Sequence, residues 1–200
     1  MLPVDPARTA VLVMDYQQDV VTHFVPVEDE MLQRAARVLE RTRAAGIPVI
    51  YVVTHFRPTH PEIVPDRGLF RSLRAANQLV EGTPGAAVHS AVAPVPGDVV
   101  VTKKRVGAFS GSDLEYILRA FGRTHLVLFG VATSGVVLST VRAAADLDYD
   151  MQIIADCCAD RDEEVHRVLI GKIFKSMAPA VSADEFVAAL DRLDTASPGE

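Results

Sequence analysis

Three stretches of this 200-residue chain place reactive side chains just where an apolar run stops. Asp15 follows Thr9 to Met14 (TAVLVM) and leads into Tyr16, Gln17 and Gln18. A carboxylate at the end of a buried strand is expensive to desolvate unless it is partnered or used. Asp15 therefore reads either as a functional acid or base, or as the N-cap of whatever helix follows. Lys103 opens the stretch Lys103-Lys104-Arg105-Val106-Gly107-Ala108-Phe109. It is either the cation that makes a buried Asp15 tolerable or part of a solvated surface run. Strand alternation turns only one of Lys103 and Lys104 toward a shared site. The third stretch is Gly130-Val131-Ala132-Thr133-Ser134-Gly135-Val136, where a helix is expected to start.

Other chemistries find less support. His55, His60 and His89 lack metal-ligand spacing, and neither HExxH nor CxxC occurs, so no metal site is expected. No Walker loop and no GxGxxG after a strand is present, which leaves a kinase, an NTPase or a nicotinamide dehydrogenase without a signature, and no cofactor is expected. Ser134 lacks the GxSxG elbow. The charged turn Asp156, Asp160, Arg161 and Asp162 reads as a solvated loop and helix cap. Cys157 and Cys158 are adjacent, the only cysteines, and cannot build a disulfide framework; a reducing, cytoplasmic setting is expected. A thiol redox protein would need that pair exposed.

The elements that must position these groups are legible from periodicity. Short apolar runs at residues 9–14, 48–53, 98–102, 125–131 and 151–155 read as buried strands. Helical spacing occupies residues 28–45, closed by Gly46 and Pro48, then 112–121, 134–147, 163–174 and 183–193. Ser112 with Glu115 has the capping-box pattern. Such alternation argues for an α/β fold with a mostly parallel sheet covered by helices on both faces. Residues 56–96, rich in proline, break the rhythm and are too long for a plain connector, so this excursion is expected to cover a site or meet a neighbour. Residues 195–200 read as a frayed tail.

Length and composition bound the rest. Two hundred residues suit a single domain over residues 1–200, with about 70% of the extended surface buried on folding. Twenty basic against 26 acidic residues give a formal charge of −6, a poor match for nucleic acid. No run of 18 apolar residues occurs, so no membrane span is expected, and no basic leader precedes the first apolar run.

Taken together, Asp15-Tyr16-Gln17-Gln18-Asp19, the Lys103–Phe109 stretch, and Gly130 to Ser134 followed by Ser139-Thr140 resemble the isochorismatase-like (cysteine hydrolase) family. Glu81-Gly82-Thr83-Pro84-Gly85 with His89, and Asp156-Cys157-Cys158-Ala159-Asp160, match further family segments, and the similarity runs from about Arg8 to Phe174. The resemblance implies a three-layer α/β/α hydrolase of small molecules, a homo-oligomer (dimer or tetramer), with Asp15 and Lys103 catalytic. It also implies that Val131-Ala132 is the loop that often carries a cis peptide. Gln17, Phe109, Ala132, Thr133, Ser134, Gly135 and Val136 would bind substrate, with backbone N–H groups of residues 133–135 offered to it.

The resemblance also puts the family's nucleophilic cysteine at Val136, and an isopropyl group has no lone pair to attack a carbonyl. Ser134 lies two residues early and would point away as an N-cap. The Cys157-Cys158 pair matches a structural segment. The thiol-dependent nicotinamidase and carbamoylase branches, with the Asp-His-His metal site of some, are thus disfavoured. The branch that gives the family its name has glycine there and is similar in using the Asp as an acid on a vinyl ether, which needs no covalent nucleophile. For that role burial of Asp15 must outweigh the neighbouring ammonium. The expected function is a hydrolase working without a thiol; the alternative is an inactive ligand-binding or scaffold protein whose pocket is closed by Val136 or by the excursion.

Overall fold

The computed structural model describes residues 4–25 and 28–196. The apolar runs become β1 (Thr9–Met14), β2 (Val49–Thr54), β3 (Val99–Lys103), β4 (His125–Gly130) and β5 (Asp150–Ile154), within one residue of the sequence expectation at either end. A sixth strand, β6 (Ala180–Val181), was not expected, because two residues carry no readable periodicity. The sheet order is β3-β2-β1-β4-β5-β6 and every pairing is parallel. β1, β2 and β4 are buried along their whole length, which is why they lack alternation. The edge strand β3 does alternate: Val101 and Lys103 face inward and Val100 faces out.

Between the strands run α1 (Gln18–Phe24), α2 (Glu28–Ala44), α3 (Arg71–Ala75), α4 (Leu114–Ala120), α5 (Leu138–Asp146) and α6 (Glu163–Val168), and α7 (Ala183–Ala196) follows β6. Right-handed crossovers in a sheet that grows outward both ways from β1 and β4 send α2 to one face, where it packs on α7, and α5 to the other. This is the α/β architecture with helices on both faces of a parallel sheet. Gly46, at φ +67, ends α2 as a left-handed C′ residue, with its own N–H and that of Ile47 turned back to Arg43 and Thr42 carbonyls. Of the expected tail, residues 197–200 lie outside the described residues, and α7 runs to Ala196.

Two helix starts differ from the sequence reading. Ser112 and Glu115 form no capping box: the Ser112 hydroxyl donates to Ala108 O, and Glu115 pairs with Arg119 one turn on. The expected helix 134–147 opens instead with a π-helical turn, Thr133–Val137, and its N-cap is Ala132, so Ser134 does not cap it. The excursion has its own small core of Phe56, Ile63 and Leu79, against which Val20, Phe70 and Leu73 pack. Gln17 ties it to the sheet: the amide donates to Thr54 O and Ala86 O and accepts from Thr54 N.

Candidate active site

In an open parallel sheet the crevice opens beyond the carboxyl ends of the strands where the order reverses, here between β1 and β4. The chain leaves β1 through Asp15 at φ 54, with its N–H still held by Val52 O. Register does the rest. Thr54 of β2 sits opposite Lys103 of β3, so their side chains project from one face beside the turn at Asp15. Lys103 Nζ donates to Asp15 Oδ2 at 2.8 Å, to Thr54 Oγ1 at 2.6 Å and to Arg105 O at 3.1 Å. The Thr54 hydroxyl in turn donates to Asp15 Oδ1 at 3.1 Å. Asp15 is therefore not a helix cap. The Lys103 side chain is 1% exposed and that of Asp15 11%, so the pair is nearly dry. Lys104, on the other face, donates to His55 O.

Burial raises the Asp15 pKa above the ordinary carboxylate value, and the Lys103 ammonium with the Thr54 hydroxyl offsets only part of that. The physical reason is that removing the carboxylate from water penalises its charged form by more than the attraction of the Lys103 charge and the hydrogen bonds from Lys103 and Thr54 return. Such a site can hold a proton and release it to a substrate, with the ammonium ready to stabilise the carboxylate left behind.

Asp15 and Lys103 lie at the base of a cleft of about 720 Å³. Ala132, Ser134, Gly135 and Val136 line it with them, and Leu69, Phe70 and Leu73 of the excursion form an apolar wall. Neither Val136 nor the excursion closes it. The Val131-Ala132 peptide is cis, at the bond where the family resemblance expects one.

Three expected contacts go elsewhere. Gln17 is fully buried and its amide is consumed by the backbone bonds above, so it does not reach the cleft. Phe109 stacks on Tyr149, with ring centroids 5.9 Å apart, away from the cleft. The Thr133 hydroxyl binds Ala159 O and His166 Nδ1. The expected row of free N–H groups is also absent: Thr133 N donates to Ala159 O, Ser134 N to the Asp160 carboxylate and Gly135 N to Ala132 O. The loop after β5 satisfies the first two of these donors, a tertiary contact that local sequence does not announce.

The sequence reading also missed residues. Thr54 lies one residue past the apolar run 48–53, although a hydroxyl at a strand's carboxyl end is the same kind of signal as Asp15. Asp19 and His23 of α1, and Arg161, line the cleft too, and no local pattern marks them. The three histidines considered as ligands make backbone contacts: His55 with Ala86 O, His60 with Gln78 O and His89 with Ala91 N. Cys157 and Cys158 are both buried and neither lines the cleft. Burial pushes the Cys158 thiol up to about 12 and that of Cys157 higher still, so neither is poised as a thiolate.

An acid and an ammonium buried together at the switch point of a parallel α/β sheet fit the class of small-molecule hydrolases that the sequence resembles. The isochorismatase domain model matches residues 9–185, and the chain belongs to that family. It is 33% identical to a probable isochorismatase of Pseudomonas chlororaphis over 187 residues, covering 92% of this chain and 87% of that one. It is 27% identical to the maleamate amidohydrolase of Pseudomonas putida, with 93% and 88% covered. A cysteine hydrolase structure from Pseudomonas syringae pv. phaseolicola superposes with a TM-score of 0.87 over 96% of both chains, at 23% identity, a likeness of fold.

Proposed function

We propose that this family member is a small-molecule hydrolase that works without a covalent thiol, with Asp15 as general acid and base and Lys103 as its electrostatic partner. The observation that carries the reading is the buried Asp15–Lys103–Thr54 cluster at the floor of an open cleft, beside the Val136 isopropyl group, with both cysteines elsewhere. The raised pKa of Asp15 supports its acting as a proton donor. A vinyl ether is the bond class that such a site serves most directly. Protonated Asp15 gives its proton to the terminal enol carbon, and positive charge develops on the ether-bearing carbon as an oxocarbenium centre. Water adds there and returns a proton to the Asp15 carboxylate, and the hemiketal collapses to a carbonyl compound and an alcohol. Lys103 stabilises the carboxylate between the two proton transfers.

The same proposal places the protein in the cytoplasm, where its two free, buried cysteines stay reduced, and assembles it as a homo-oligomer, dimer or tetramer. Among the described residues no helix is long and apolar enough to cross a membrane.

The test is turnover of a panel of vinyl ethers, esters and amides by the purified protein, by Asp15→Asn and by the double variant Cys157→Ser/Cys158→Ser. Loss of at least 10²-fold in Asp15→Asn, the lower bound for a general acid, with activity kept in the double serine variant, is the expected pattern. Activity that survives Asp15→Asn, or that disappears with the cysteines, defeats this mechanism.

A further inference from the structure

Arg161 stands out once the helix caps around it are assigned. The turn 156–162 carries three aspartates, and each is engaged in starting a helical segment. Asp156 Oδ1 accepts from Ala183 N at the head of α7, Asp160 Oδ2 from Ser134 N at the π-helical turn, and Asp162 Oδ1 from Glu164 N and Val165 N at α6. The arginine between two of them pairs with neither. Among the described residues no carboxylate lies within ion-pair distance of the Arg161 guanidinium. Its side chain instead turns into the cleft that holds Asp15 and Lys103, and Nη1 meets His23 Nε2 at 3.0 Å. Arginine has no acceptor atom, so in this contact His23 Nε2 is the acceptor. That contact aims one edge of the guanidinium and leaves its charge uncompensated.

Apart from the Asp19 carboxylate, the cleft has three chemically distinct parts: a floor where Lys103 is held against Asp15 at 2.8 Å; a wall of Leu69, Phe70, Leu73 and Val136; and, at the exposed rim, the guanidinium of Arg161. We infer that Arg161 is a specificity-determining residue, and that the substrate is a small molecule with an apolar body and one carboxylate, bound with the carboxylate on Arg161 and the scissile bond toward Asp15. This rests on the hydrolase reading above and narrows it. A planar guanidinium presents paired donors to a carboxylate, which a neutral amide of the same shape cannot match.

Cyclohexanecarboxylate and its near-isostere cyclohexanecarboxamide separate the charge from the shape, and binding can be read by NMR titration without any turnover. We expect the carboxylate to bind roughly tenfold more tightly than the carboxamide, the size of one charge-assisted contact. That preference should vanish in Arg161→Gln, persist in part in Arg161→Lys, and shrink at high salt. Equal binding of the two probes, no binding of the carboxylate, or a preference unchanged in Arg161→Gln overturns the inference. Repeating the titration on Asp15→Asn keeps the two ideas apart. If the Arg161-dependent preference remains while the wild-type protein turns over no panel substrate, or while turnover survives in Asp15→Asn, the hydrolase mechanism fails and the anion site stands.

Discussion

At Asp15 two opposing influences meet, and Thr54 decides how far each extends. The hydroxyl is a hinge in a three-membered chain: it accepts from Lys103 and donates to Asp15, so it favours the carboxylate form. Thr54→Val keeps the volume and removes the donor. We predict that the Asp15 pKa then moves further upward, and that Thr54→Ser returns it toward the wild-type position. Carbon-detected NMR titration of the Asp15 carboxyl reads this directly. For an enzyme that needs protonated Asp15, the alkaline limb of the pH–rate profile should move to higher pH in Thr54→Val. A downward movement in either measurement would show that the hydroxyl accepts from the carboxyl rather than donating to it.

Among the elements, β4 ends in close backbone contact with β1. A Cβ placed on Gly130 would come within 2.8 Å of Met14 O and 2.9 Å of Met14 Cβ, both fixed by the β1–β4 ladder that pairs these two residues. Backbone cannot yield as a side-chain tip can. Gly130→Ala is therefore expected to destabilise the fold by about 1–3 kcal/mol through overpacking, measured as a lower urea midpoint at constant slope. The strand also sets the position of Val136, since the same added atom would lie 3.2 Å from Val136 Cγ1. A variant as stable as wild type would mean that β1 and β4 slide more freely than their register implies.

For the molecule as a whole, acid stability carries a sign that follows from one buried and one half-buried histidine. His125, at the start of β4, is 5% exposed, and burial lowers its pKa below 6.5; Asp150 and Asp5 oppose this and Arg8 adds to it. His166, bonded to Thr133, is lowered for the same first reason, burial, against Asp160 and Glu163. The unfolded chain therefore takes up protons at about 6.5 that the folded chain refuses until lower pH. The stability these groups contribute is complete above that value and is lost as the pH falls through the folded pKa. Melting curves across this window should fall less steeply with acid in His125→Gln than in wild type; parallel slopes would assign the acid sensitivity to other groups. Sequence alone determined the strand cores, the α/β class and the placement of Asp15 and Lys103 at strand ends, because buried parallel strands impose continuous apolar runs whose ends are sharp. It missed β6, and it turned Gln17, Phe109 and Thr133 toward substrate, because whether a polar group is spent on the backbone, or a ring on another ring, depends on segments up to about seventy residues distant in number. The pairing of Thr54 with Lys103, the occupation of the 133–135 N–H groups and the turn of Arg161 into the cleft were decided only by register and by which carboxylates the helix starts consumed, and neither is a local property of the chain.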